Sequence, residues 1–138
     1  HVGFSPVMPA SGAAVVAQFH RTKLRYDEHG IDHNCTFYLN GRTVTNINLM
    51  LINLDDADHT ARTGRLFDAL VADASAQGYA EYRTHLDYMD AVAASFDFND
   101  HALRRFNERV KDALDPNGIL APGRNGIWPA AWRGQRNK

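Results

Sequence analysis

Asn40-Gly41 constrains this chain more than any other pair of residues. It separates two runs, residues 33–39 and 42–53, that both have strand character. Asn-Gly suits the tight hairpin turn whose central residues take positive φ, so the two runs are predicted to pair as antiparallel neighbours. In the second run Ile47, Leu49 and Leu51 alternate with Asn46, Asn48 and Met50. That period of two gives the strand one clearly apolar face.

The flanking segments supply the remaining layers. Val2 and Phe4 alternate with smaller residues, which predicts a short strand closed by Pro6 and Pro9. Ser11 is placed to cap a helix. Val15, Phe19, Thr22 and Tyr26 fall on one face of it, and Gly30 ends it. Asp55, Asp56 and Asp58 suit the positive end of a second helix. Its expected buried stripe is Leu66, Leu70 and Ala74, flanked by Phe67 and Val71, and Gly78 stops it. The predicted fold class is α+β, with helices packed on one face of an antiparallel sheet.

Beyond Gly78 the pattern changes. Tyr79 to Arg83 reads as extended and Leu86 to Phe96 as a short helix. Asn99 reads as the cap of another helix, with Leu103, Phe106, Val110 and Ala113 at helical spacing. Asp115-Pro-Asn-Gly118 terminates it, and Ile119 to Trp132 reads as loop. The stretch 79–138 has little sheet of its own, so it reads as a segment that completes something larger.

Composition narrows the function classes. The chain is 44% apolar and 22% charged with a formal net charge of -1, an ordinary globular balance. No bulk charge favours nucleic acid or an anionic membrane. Basic residues gather only at the end, at Arg133, Arg136 and Lys138, and read as a solvated tail. No apolar run reaches the ~20 residues of a membrane helix. Cys35 is the only cysteine, so no internal disulfide forms, and a cytoplasmic location is expected. The chain starts at His1 and not at methionine, which suggests a processed product or a fragment.

Few residues offer chemistry by themselves. Tyr82-Arg83 pairs a phenol with a permanently charged fork of donors, able to hold a phenolate or carboxylate. Neighbours on a strand point to opposite faces, so both reach one ligand only where the chain is irregular. A buried tyrosine beside an unrelated surface arginine is the plainer alternative. The seven histidines show no HxH or HExxH spacing, so no metal site is expected. Ser5 lies in Phe-Ser-Pro and not in a nucleophile elbow. Neither GxGxxG nor GxxxxGK[ST] occurs, so no phosphate cradle is visible. Arg124, in a loop of glycines and prolines, offers one more positive charge.

Three stretches resemble a known family. Glu81-Tyr-Arg-Thr-His-Leu-Asp-Tyr-Met-Asp90, Phe106-Asn-Glu108, and Asp115-Pro-Asn-Gly-Ile-Leu-Ala-Pro-Gly-Arg-Asn-Gly-Ile-Trp128 resemble the C-terminal block of the vanillyl-alcohol oxidase and 4-cresol methylhydroxylase flavoproteins. The opening His1-Val-Gly-Phe-Ser-Pro6 most resembles the bacterial eugenol oxidases. The resemblance implies that residues 1–78 are part of a substrate cap domain and 79–138 the C-terminal segment of an FAD-binding domain. It implies an FAD-dependent oxidase of para-substituted phenols, with hydride transfer from a benzylic or allylic carbon to flavin N5 through a quinone methide, and O2 reduced to hydrogen peroxide. His1 matches the histidine that carries FAD covalently. Tyr82 and Arg83 match the phenolate-binding pair, and Arg124 matches an arginine at the flavin N1–C2 edge. Gly3, Ser5 and Tyr38 match cavity-lining positions. The expected partners are a phenolic substrate, O2, the N-terminal portion of the enzyme and further copies in a homo-oligomer, with no nucleic acid and no membrane. The alternatives are a cresol-type dehydrogenase passing electrons to a cytochrome, and a non-catalytic α+β module.

Overall fold

A computed structural model of the chain describes residues 1–133. Of the residues expected to form a solvated basic tail, Arg136 and Lys138 lie outside the described residues. Arg133 is not free in solvent: it donates to Asp112 Oδ2 at 2.8 Å and Oδ1 at 2.6 Å and to the Trp128 carbonyl. The chain divides into two compact units, His1–His85 and a second beginning at Leu86.

The first unit contains β1 (Val2–Phe4), β2 (Pro6–Pro9), α1 (Gly12–His29), β3 (Asn34–Asn40), β4 (Thr43–Met50), α2 (Ala57–Ala76) and β5 (Ala80–Glu81). Among the described residues they form one five-stranded antiparallel sheet with β4 at its centre. The expected hairpin is present as β3 and β4, but its turn lies one residue later than Asn40-Gly41. Asn40 still pairs with Thr43, so Gly41 and Arg42 make the turn, and of Asn40 and Gly41 only Gly41 takes positive φ, +61°. The single N-terminal strand expected from Val2 and Phe4 is two strands. Val2 pairs with Met50 and Phe4 with Asn48, then Val7 with Thr45 and Met8 with Val44. Both therefore follow one register along β4, interrupted at Ser5. β5 joins the outer edge of β2, with Pro6 opposite Glu81 and Val7 opposite Ala80.

The face that the helices cover is the asparagine face of β4. Val44, Asn46, Asn48 and Met50 are buried, while Ile47 and Leu49 are only half-buried. Buried amides are tolerable only when hydrogen-bonded, and here α1 and the strands supply partners. Gln18 Nε2 donates to Asn46 Oδ1 at 3.5 Å. Asn48 Nδ2 donates to Asn46 Oδ1 at 2.9 Å and to the Phe4 carbonyl at 3.1 Å. His33 Nε2 lies 3.3 Å from Asn48 Oδ1. The apolar share of this core comes from α2, where Leu66, Phe67, Leu70 and Ala74 are buried as expected, and from the strands, which add Phe4, Met8, Val44 and Met50; Phe4 meets Phe67 edge-on at 6.0 Å. On α1 the buried positions are Gln18, Thr22 and Tyr26, and Phe19 is exposed. The amide-lined floor of the sheet selects Gln18 over Phe19.

Helix ends follow the local chemistry. Asp56 caps α2 by accepting from the His59 N–H at 2.9 Å. Ser11 stands at the start of α1 without making a side-chain cap bond, and Gly30 ends that helix in the left-handed conformation. Arg62 of α2 donates to the carbonyls of His29 and Gly30 there, and Arg25 of α1 forms a two-pronged pair with Asp73 of α2. These bonds align the two helices.

The second unit begins with a 3-10 turn at Leu86–Tyr88, followed by α3 (Met89–Ala94) and α4 (Phe98–Leu114). Asn99 is not a cap: Asn99, Asp100 and His101 all take positive φ, so the right-handed run of α4 starts after them. Leu103, Phe106 and Val110 share a face as expected, yet that face is exposed, and α4 buries no residue.

Candidate functional site

Directly opposed residues of an antiparallel pair point to the same side of the sheet. The register therefore sorts the side chains on the face away from α1 and α2. Ala80, Val7, Thr45 and Tyr38 make one row across the strands. The next row holds Ser5 at the level of Ile47 and Thr36. Gly3, Leu49 and Asn34 make the third. Tyr82 joins the Ser5 row, because its N–H donates to the Ser5 carbonyl at 3.2 Å. The register thus aligns Gly3, Tyr38 and Tyr82 on the face away from the helices, while Ser5, at the same level as Tyr82, is buried at 7% exposure. Tyr82 is 62% exposed and Tyr38 63%.

β5 ends at Glu81, and the chain bends at Tyr82 and Arg83. The bend lifts the strand rule that keeps neighbours on opposite faces, so phenol and guanidinium are free to approach one ligand. Arg83 is exposed and has no ion pair among the described residues. Two buried oxygens without partners bracket the pair, Glu81 Oε1 and Thr84 Oγ1. Burial pushes the Glu81 carboxyl up to about 8, against the opposing pull of the Ser5 amide and of Arg83. At neutral pH the site therefore carries the Arg83 cation beside a largely neutral Glu81, a combination that favours an anionic guest.

Gly3 is informative in a different way. Its φ is ordinary, and a Cβ there would meet nothing nearer than the Asn48 carbonyl oxygen at 4.0 Å. The fold does not require glycine at this position, so its effect is to leave the open face bare. His1 precedes β1 and is exposed. Cys35 faces the helix side opposite Asn48, where burial raises its thiol pKa.

Arg124 belongs to the second unit, in the loop that follows α4. Asp115 folds that loop: its carboxylate accepts from the N–H groups of Ile119 and Leu120, each at 2.9 Å, and from Lys111 at 2.5 Å. Three glycines let the loop close on itself. A Cβ on Gly118 would strike Pro129, one on Gly123 the Trp128 ring, and one on Gly126 the Ala93 Cβ at 2.5 Å. Trp128 Nε1 donates to Asp90 at 2.7 Å, tying the loop to α3. Arg124 itself is exposed, between Ala121 and Asn125 with φ +39° and +52°. The Asp-Pro-Asn-Gly motif is thus a folding device that presents an arginine.

Sequence reading missed Glu81, Thr84 and the wall residues Thr36, Thr45, Ile47 and Leu49. The alternation of β4 was visible, but its register against β1 and β5 was not.

Residues 12–125 match the family described as FAD linked oxidases, C-terminal domain. The flavoprotein subunit of 4-cresol dehydrogenase (hydroxylating) from Pseudomonas putida is 32% identical over 124 residues, covering 90% of this chain and 23% of that protein. The 4-ethylphenol oxidase from Gulosibacter chungangensis, solved in complex with isoeugenol, superposes with a TM-score of 0.92 at 40% identity, over 95% of this chain and 25% of that one. A p-cresol methylhydroxylase with substrate bound superposes at 0.86 with 31% identity, over 91% of this chain and 24% of that one. The chain spans about a quarter of the length of these relatives. Its match to the family model over most of its residues places it, by its C-terminal domain, in the FAD-linked oxidase family.

Proposed function

We propose that this chain is the C-terminal quarter of an FAD-dependent oxidase of para-substituted phenols, with residues 1–78 in its substrate cap and 79–138 in its FAD-binding domain. The observation that carries the reading is the sheet face away from the helices, where Tyr82 stands level with Ser5 beside the exposed Arg83 at the bend, and Gly3, Ile47 and Leu49 share that face. The relatives named for 4-ethylphenol and p-cresol support a phenolic guest.

The residues present fit part of an FAD site. His1 is an exposed imidazole four residues before Ser5, roughly 13 Å along an extended strand at ~3.3 Å per residue. It immediately precedes the strand that carries Gly3, so it is the proposed point of covalent attachment. Arg124 is an exposed cation suited to the electron-rich N1–C2 edge of a flavin. When bound, FAD supplies the hydride acceptor, and O2 the final oxidant, with hydrogen peroxide as product.

This chain's own residues act on the substrate oxygen. Arg83 stabilises the phenolate by a charge-assisted bond. The Tyr82 O–H donates a hydrogen bond to the same oxygen and keeps its proton. The negative charge then flows toward the para carbon, which weakens the benzylic or allylic C–H bond and leads to a quinone methide. Ile47, Leu49 and Val7 keep that region dry, while Thr36, Thr45 and Tyr38 offer hydroxyls along the wall.

The test is oxygen consumption by the full-length flavoenzyme with 4-ethylphenol. One peroxide per substrate is the expected result. A second reading, a dehydrogenase that hands its electrons to a cytochrome, is favoured by the similarity to the P. putida flavoprotein subunit. Cytochrome reduction without peroxide supports it. A colourless protein without flavin overturns both. Yellow absorbance that remains with acid-precipitated protein, and is lost in His1→Ala, tests the covalent link.

A further inference from the structure

Ser5 is where the N-terminal strand breaks, and it is held at both ends from β5. Its carbonyl accepts from the Tyr82 N–H at 3.2 Å. Its own N–H donates to Glu81 Oε2. Glu81 stands opposite Pro6 on the helix-covered side of the sheet and is only 7% exposed. Its other oxygen has no hydrogen-bond partner. A buried carboxyl left half-satisfied is costly, and packing alone would be better served by an apolar residue of the same volume. The side chain that replaces a ladder bond at this break thus belongs to the residue preceding Tyr82-Arg83.

We propose that Glu81 is a positioning residue for phenol binding: by clamping the Ser5 amide, it fixes the break between β1 and β2 and with it the placement of Tyr82 and of the bend that carries Arg83. Three features carry this. The clamp spans the only residue that separates β1 from β2. It sits beside the bend that frees Tyr82 and Arg83 from strand geometry. The reach of a glutamate is required, since the acceptor must cross from one strand to the amide of the next.

The proposal rests on the phenol-binding reading of Tyr82 and Arg83, and its test separates the two. The full-length flavoenzyme would be prepared as wild type, Glu81→Gln, Glu81→Asp and Tyr82→Phe. The dissociation constant of isoeugenol would be measured by flavin difference spectra under anaerobic conditions. Glutamine keeps an oxygen at the same reach and is expected to bind within about three-fold of wild type. Aspartate keeps the carboxyl group but loses the reach, and is expected to bind at least ten-fold more weakly at unchanged flavin content. A Glu81→Asp enzyme that binds like wild type while Tyr82→Phe binds weakly overturns the positioning role. So does Glu81→Gln weakened as much as Glu81→Asp. A Tyr82→Phe enzyme with unchanged binding overturns the underlying site instead.

Discussion

Gly3, Arg83 and Glu81 separate what the fold needs from what the site needs. Gly3 has an ordinary φ and open space around it. Gly3→Val is therefore expected to leave the melting temperature within about 2 °C, by the small cost of substitutions away from packed features. The same change fills the bare wall, so kcat/KM for 4-ethylphenol should fall sharply; equal losses in stability and activity would contradict it. Arg83→Ala removes a charge-assisted bond of about 1.5–3 kcal/mol, and KM for phenols should rise on the order of ten- to a hundred-fold. Glu81 makes a prediction about pH. Its carboxyl titrates near 8 in the folded chain against an ordinary value of 4.5. Between those values the native chain holds a proton that the unfolded chain has released. The group's contribution is complete below the ordinary value and is lost as pH rises through about 8. Melting curves from pH 5 to 9 should show this decline, and Glu81→Gln should flatten it.

Among the elements, legibility tracked the range of the interaction. The β3–β4 pairing, the acidic start of α2 and the α2 stripe depend on neighbours in sequence, and each could be read from residues alone. The covered face of β4 could not. Alternation shows that Ile47 and Leu49 share a side, but only the buried amide of Gln18, opposite Asn46, decides which side is inward. The break at Ser5 was equally hidden, because it depends on an acceptor 76 residues away. The Asp115 loop was recognised as a motif before its physics was visible. A Cβ on Gly123 would lie 2.2 Å from the Trp128 ring, at φ +83°. Gly123→Ala combines left-handed strain with overpacking and should cost about 3 kcal/mol, read as a lower thermal midpoint. Asp115 behaves oppositely to Glu81. Its bond from Lys111, then those from the Ile119 and Leu120 amides, hold its carboxyl below the ordinary value. Its stabilisation is present above that value and is lost as pH falls through the lower folded one. Asp115→Asn should lose that acid-side transition.

At the scale of the molecule, α4 is the element that asks for company. Leu103, Phe106, Val110 and Leu114 lie exposed along it, although a helix of this patterning normally buries its apolar stripe. The spacing was readable from the sequence; whether anything covers the stripe was not, because cover depends on contacts beyond the helix. In the proposed enzyme the N-terminal three quarters supply that cover. Co-expression of the two portions should yield one flavin-containing complex, and Phe106→Glu should prevent its recovery by size exclusion. The division of labour within the first unit reaches further. One side of its sheet packs against both helices and holds the amide cluster; on the other, Thr36 and Tyr38 are exposed and Thr45, Ile47 and Leu49 half-buried. Selection can therefore explore Thr36, Tyr38, Thr45 and Leu49 with little penalty in foldedness. A library randomised at those positions should keep most of its members soluble while scattering widely in the phenols they accept, so one scaffold is open to many diets.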